Sequence, residues 1–337
     1  MMARTAVLLL PDAEASNARL SALNGIARRL GGAVEFRLVD SRLPLDEIAR
    51  QCAGAIALHP GGFRLFTREQ ITELVRMLPG VKLIQTPSAG TDAYDKAVLA
   101  EMGVQVASNG GANAVAVAEH TIAMIVAVYR KLDRQIESVK SGTWMDGVTR
   151  LPEEEFHTLA GKRVGVVGLG RIGSRLGTRL QGWECEVVYH DILQFPREYE
   201  EAAHARRVDL HTLLSASDIV SLHVPLDAST FHMISDGDLA LMKRSAVLIN
   251  TCRGPVVDEE ALIRALRKRM IFGAGLDVVE IEPIKPDNPL LKMDNVIITP
   301  HLATRAIEST VNATHFVVEN ISRLARGEAV QSVVAPV

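Results

Sequence analysis

Arg163-Val-Gly-Val-Val-Gly-Leu-Gly-Arg-Ile-Gly173 reads as a buried strand that enters a glycine turn and leaves it as a helix. Arg163–Val167 is short, apolar and β-branched, as a strand covered on both faces requires. From Ile172 to Leu180 the apolar spacing is helical. Between them Gly168, Gly170 and Gly173 complete the spacing G-x-G-x-x-G, with Arg171 and Ile172 opening the helix. Gly168 permits the tight turn, Gly170 lets a pyrophosphate approach the backbone, and Gly173 lets the helix pack close to the strand. The helix start then presents unbonded N–H groups and the positive end of its dipole to phosphate. A glycine triplet alone is a weak signal in a chain with 25 glycines. Set between a strand and a helix, it points to a bound dinucleotide.

The next apolar run, Glu186-Val-Val-Tyr189, ends at His190-Asp191, and Asp191 stands 18 residues beyond Gly173. An acid at about that distance accepts the adenosine ribose hydroxyls. A carboxylate there repels a 2′-phosphate, and no arginine follows it directly, so the cofactor expected is NAD. The plainer use of Asp191 is as a strand-end turn residue. Tyr189 and His190 read as packing and rim residues.

The same alternation of strand and helix extends along the whole chain. Strand candidates lie at 6–10, 34–38, 53–58, 82–86 and 104–108. A second series lies at 162–167, 186–190, 218–223, 246–250, 273–277 and 296–299. Helix candidates include 67–78, where Thr67 and Gln70 have capping-box spacing. A long stretch at 113–140 has Asn113 as its N-cap and Gly142 at its end. The run 258–269 carries acids in its first turn and bases in its last, complementing the helix dipole. A final helix at about 304–326 closes at Gly327. The fold class expected is therefore α/β, two doubly wound units with parallel sheets, joined by the 113–140 helix.

Composition agrees. A length of 337 residues suits about two domains. Aromatics make up 4% against 47% hydrophobic residues, so the cores are built from Ala, Val, Ile and Leu. Bases number 37 and acids 40, giving −3 and no basic stripe, which argues against nucleic acid as a partner. The longest apolar stretch, Thr121 to Tyr129, is too short to span a bilayer, so no membrane partner is expected. Cys52, Cys185 and Cys252 are far apart, which implies a reduced, cytoplasmic setting and no metal site.

Ligands of open α/β sheets bind beyond the carboxyl ends of the strands. Three late strands end in ionisable groups. Val247-Leu-Ile-Asn250 is followed by Thr251-Cys252-Arg253, Ala274-Gly-Leu-Asp-Val278 by Glu280-Ile-Glu282, and Val296-Ile-Ile-Thr299 by Pro300-His301. Arg253 can grip a carboxylate through two parallel N–H bonds. His301 can carry a proton near neutral pH, and a carboxylate at Glu282 favours its imidazolium. Beside a nicotinamide dinucleotide this trio serves carbonyl reduction, with His301 delivering the proton. Singly, each has an ordinary alternative as a surface ion pair, a turn residue or a solvated acid.

These residues resemble the D-isomer-specific 2-hydroxyacid dehydrogenases. The matching pieces are Val164 to Gly173, Asp218-Ile-Val-Ser-Leu-His-Val-Pro-Leu226, Leu241 to Leu262, Gly275-Leu-Asp-Val278, Glu282-Pro283 and Thr299-Pro-His301. The resemblance covers nearly the whole chain and is strongest from 161 to 303. It implies a flavodoxin-like substrate domain, 1–111 with 303–337, around an inserted NAD-binding Rossmann domain at 112–302. It implies Arg253, Glu282 and His301 as substrate clamp, histidine partner and acid/base for a small 2-hydroxy or 2-oxo acid. It implies backbone N–H groups of Ser88, Ala89 and Gly90 on the substrate carboxylate. Val224, Pro225, Thr251, Cys252 and Asp277, with Arg253 and His301, are implied to line the cofactor. A homodimer through 113–160 is also implied. Formate dehydrogenases of the superfamily carry Gln where Glu282 stands. A second reading is a dimeric NAD(H)-sensing co-repressor of the same fold. His59, in His59-Pro-Gly-Gly62, either lines the substrate cleft or serves a turn; Trp144 either covers a partner's cleft or packs in the interface.

Overall fold

The structure, a computed structural model, describes residues 3–62, 65–144 and 155–335. Among these residues the chain folds as two compact α/β units. Met1–Asn113 and Ala306–Val337 bound the first, and Ala114–Arg305 the second.

In the first unit the elements run β1 (Arg4–Leu10), α1 (Glu14–Arg29), β2 (Val34–Asp40), α2 (Leu45–Gln51) and β3 (Ala55–Pro60). Next come α3 (Arg68–Arg76), β4 (Leu83–Gln85), α4 (Lys96–Glu101) and β5 (Gln105–Ala107). The sheet is parallel throughout, in the order β2-β1-β3-β4-β5. β1 is buried on both faces. Val7 and Leu9 pack with Leu58, Ile71 and Leu74, whereas Ala6 and Leu8 pack with Leu23, Phe36 and Leu83. Each fully buried Leu or Ile of these layers contributes about 1.5–3 kcal/mol over an exposed one. The strand order switches direction between β1 and β3, so the crevice of this sheet lies beyond Leu10 and Pro60.

The second unit begins with α5 (Ala114–Arg130) and α6 (Leu132–Lys140). The sequence reading expected one helix over 113–140; the structure breaks it at Lys131, which is left-handed at φ 51°. The cause is a buried lysine. Its ammonium pairs with Glu155 at 3.3 Å and lies 4.6 Å from the centre of the Phe272 ring. Asn113 does not cap the helix, because its Oδ1 is buried without a hydrogen-bond partner among the described residues. Part of the expected dimer region, residues 145–154, lies outside the described residues.

The unit continues as β6 (Arg163–Val167), α7 (Arg171–Leu180), β7 (Glu186–His190), α8 (Arg197–Ala203), β8 (Ala205–Arg207), α9 (Leu210–Ala216) and β9 (Ile219–Leu222). It ends with α10 (Asp236–Leu241), β10 (Val247–Asn250), α11 (Glu259–Arg267), β11 (Gly273–Leu276) and β12 (Val296–Ile298). These strands form one parallel sheet, β12-β11-β10-β9-β6-β7-β8. β8 escaped the sequence reading because Ala205-Arg-Arg207 is short and polar. One face is filled by Tyr129, Val164, Val166, Leu176 and Ile249, the other by Leu213, Val220, Leu248 and Leu262. The strand order reverses between β6 and β9, which puts the crevice of this sheet beyond Val167 and Leu222. The chain then returns to the first unit as α12 (Ile307–Arg326), closed by Gly327 at φ 78°.

Candidate active site

The glycine turn leaves β6 at this reversal. Gly168 adopts φ 95°, and a Cβ there would fall 2.7 Å from the His223 carbonyl oxygen. A Cβ on Gly173 would fall 2.2 Å from the Gly168 oxygen, so α7 rides directly on the turn. Gly170 differs: beyond its own neighbours in the chain, no atom of the described residues lies within 4 Å of where its Cβ would be. It is the N-cap of α7, with no side chain capping the helix, and so leaves an open cradle before the helix start. Arg171 and Ile172 form the first turn of that helix. Val224 and Pro225 follow β9, the strand beside β6. This donor set and open space fit a dinucleotide pyrophosphate.

Asp191 follows β7 beside the turn. Its Oδ2 accepts from the Leu169 backbone N–H at 2.8 Å and its Oδ1 from Leu193 at 2.9 Å, so the carboxylate braces the glycine turn. Each oxygen retains a second lone pair. Arg207 reaches the same point from β8, its Nη2 donating to the Asp191 carbonyl at 2.8 Å. The sequence reading missed this arginine, since it lies sixteen residues downstream on the overlooked strand.

At the end of β10, Asn250 shapes the Arg253 loop. Its Nδ2 donates to the Arg253 carbonyl at 2.9 Å, and its Oδ1 accepts from the Cys252 N–H at 3.0 Å. The Arg253 Nη1 donates to the Cys252 carbonyl at 2.8 Å. Thr251 shares a 3.1 Å hydroxyl contact with Thr121 of α5. Burial pushes the Cys252 thiol up to about 11, which keeps it protonated. Gly254 lies so close to the next loop that a Cβ would fall 1.8 Å from the Val279 carbonyl oxygen.

That next loop separates its two acids. Glu280 bonds His232 at 3.1 Å and the Glu259 N–H at 3.1 Å, tying the loop to the start of α11. Glu282 instead meets His301, Oε2 to Nδ1, at 2.8 Å, both side chains being about four-fifths covered. A carboxylate accepts only, so Nδ1 carries the proton and the tautomer is set.

His301 has a left-handed backbone, φ 55°, held by its neighbours. Its N–H donates to the Asp277 carbonyl at 2.8 Å. The Asp277 carboxylate is 1% exposed and accepts from Thr299 Oγ1 at 2.6 Å, Leu302 N–H at 3.0 Å and Ala303 N–H at 2.9 Å. His120 of α5 adds a 3.1 Å bond to Thr299 Oγ1. The sequence offered no sign of this clasp, because its acceptors and donors come from β11, α5 and the segment after β12. Ser88, Ala89 and Gly90 belong to the first unit. They follow β4, where the Ser88 hydroxyl donates to the Gly90 carbonyl at 2.8 Å and the Ser88 carbonyl accepts from the Asn109 N–H at 3.0 Å.

Residues 122–303 match the family model of the D-isomer-specific 2-hydroxyacid dehydrogenase NAD-binding domain. The chain is 39% identical to a glyoxylate reductase of Thermofilum pendens over 78% of each sequence. This chain belongs to the D-isomer-specific 2-hydroxyacid dehydrogenase family. It is thus an oxidoreductase of the CH–OH class with a nicotinamide dinucleotide cofactor. Solved structures agree with this family fold. The chain superposes on D-mandelate dehydrogenase of Rhodotorula graminis with a TM-score of 0.84 and 28% identity, covering 99% and 98% of the two chains. It superposes on an NADPH-dependent glyoxylate/hydroxypyruvate reductase of Sinorhizobium meliloti, solved with NADP and malonate, at 0.79 and 26%, covering 99% and 98%. Among the described residues no helix is long and apolar enough to cross a membrane.

Proposed function

We propose that this dehydrogenase is an NAD-dependent reductase of small 2-oxo acids such as glyoxylate, running also in reverse on the 2-hydroxy acid. The observation that carries the reading is the 2.8 Å Glu282–His301 pair, raised on the same sheet edge as the glycine cradle. With Nδ1 protonated and bound to Glu282, His301 exchanges the catalytic proton with the substrate oxygen through Nε2. Glu282 stabilises the imidazolium and holds the ring's aim. Arg253 binds the substrate carboxylate through its planar fork. Ser88, Ala89 and Gly90 are the second candidate grip for that carboxylate, through backbone N–H groups. The dinucleotide, when bound, supplies the hydride. Gly168, Gly170, Arg171, Ile172 and Gly173 would hold its pyrophosphate, Asp191 its adenosine ribose, and Val224, Pro225, Thr251 and Cys252 would border it. Asp191 favours NAD over NADP, with Arg207 the group that would soften the preference. The same reading takes the protein as a homodimer through the α5–α6 region, where Ile136, Val139 and Trp144 are exposed; its mass in solution tests this.

The test is turnover of a panel of 2-oxo acids with NADH by the native chain and by His301→Asn. Native turnover on glyoxylate, hydroxypyruvate or pyruvate is expected. Loss of the proton donor should cut it by about 10²–10⁴-fold, with NADH binding intact. Near-normal turnover in the variant would overturn the assignment of His301.

A further inference from the structure

Arg19, on the second turn of α1, is a half-buried guanidinium with no carboxylate within ion-pair distance among the described residues. Its Nη1 donates to the Gly61 carbonyl and its Nη2 lies 3.2 Å from His59 Nε2. His59 is 0% exposed, so it does not line a cleft, and its Nδ1 lies 2.7 Å from the Gln85 carbonyl. That carbonyl accepts only, so Nδ1 carries the proton and Nε2 accepts from Arg19. Burial, with the charge of Arg19 beside it, pushes the imidazole down to about 3 and keeps it neutral. Gln85 in turn accepts from Asn320 at 2.6 Å. Gly61 is pinned too, since a Cβ would fall 2.6 Å from Leu10 Cγ.

The fold therefore spends a buried neutral histidine and a fixed carbonyl on aiming one arginine. Among the described residues, two of the five guanidinium N–H groups are used within the protein. Both partners lie at the carboxyl end of β3, beside the point between β1 and β3 where the strand order switches and where ligands of such sheets bind. A cation drawn from water without a counter-charge is costly, and the matching partner for a planar fork is a carboxylate or phosphate. We propose that Arg19, oriented by His59 and Gly61, anchors an anion-binding site in the first unit that takes the carboxylate or phosphate of a small organic anion. Whether that anion is a second acidic group of the substrate or a free anion is decided by the arms of the test; the first arm rests on the function proposed above.

The primary measurement is calorimetric titration with malonate and with inorganic phosphate, at fixed ionic strength. It uses an Arg253→Met background, so that the other candidate anion grip is absent, and it needs no turnover. Binding in that background is expected, weakened at least tenfold by adding Arg19→Met and partly retained with Arg19→Lys, which keeps the charge and serves as the folding control. No binding in the Arg253→Met protein, or equal binding with and without Arg19→Met, would overturn the site. The second measurement is the ratio of kcat/KM for 2-oxoglutarate over glyoxylate in otherwise native protein. A tenfold fall of that ratio in Arg19→Met assigns the site to the substrate's second acidic group. An unchanged ratio alongside lost malonate binding assigns it to a free anion.

Discussion

The contact between Gly254 and Val279 links the arginine loop to the loop that carries Glu282. A methyl group added by Gly254→Ala would start 1.8 Å from a backbone oxygen, whereas ordinary van der Waals contact begins near 3.4 Å. The loops must therefore separate by 3.4 − 1.8 = 1.6 Å, since neither clashing atom belongs to a flexible side chain. Overpacking of this kind costs about 1–3 kcal/mol of stability. A misplacement of about 1 Å in a positioned catalytic group costs about 10²-fold in rate. Gly254→Ala is thus expected to lower kcat/KM on the best 2-oxo acid by about 10²-fold, with a depressed melting temperature. NADH affinity should change little, because the glycine turn arises from β6 and is braced by Asp191. Steady-state kinetics, NADH fluorescence titration and thermal melting together check this. A variant within threefold of native kcat/KM and unaltered in melting would show that the two loops tolerate separation, and would refute the linkage.

Gly170→Ala should behave in the opposite way: with open space at its Cβ, stability should stay within about 0.5 kcal/mol while NADH affinity falls at least tenfold, read by titration. Glu282→Gln keeps the shape but removes the charge beside His301; kcat for reduction should fall by more than tenfold, read by steady-state kinetics. Asp191→Ala should raise the NADPH-over-NADH ratio of kcat/KM about tenfold or more by removing repulsion worth about 1.4 kcal/mol, and Arg207→Ala in that background should reverse the gain. His59 and His223 are both held near 3 by burial, against an ordinary 6.5. Unfolded imidazoles take up protons below about 6.5 and the folded ones do not until about 3, so stability is full above 6.5 and lost as pH falls, by up to about 1.4 kcal/mol per pH unit for each histidine. Melting curves from pH 7 to 4 check this, and His223→Asn should flatten the slope.

Much of the fold was legible because parallel strands buried on both faces leave continuous apolar runs, as at Ala6–Leu10 and Val247–Ile249. The placement of the strand-end groups was legible for the same reason: once β10, β11 and β12 are located, Arg253, Glu282 and His301 fall at their exits. What stayed hidden depends on contacts between elements distant in sequence. The break at Lys131 needs Glu155 and Phe272, and neither glycine nor proline marks it. β8 is held to β7 by register, with too few apolar residues to declare itself. Asp277 could be placed near the site by motif, yet its three-donor clasp could not be read from it. Arg19 gave no signal at all, because its surroundings come from β3 and β4.

The clasp around Asp277 separates where the His301 imidazole points from what it does. Main-chain and carboxylate bonds fix the His301 backbone in its left-handed turn without help from the ring itself. The loop is a socket and the side chain a replaceable fitting. Asparagine, which tolerates that turn well, can therefore be seated there without disturbing the frame, and other side chains can be tried in the same position while the rest of that sheet edge stays as built.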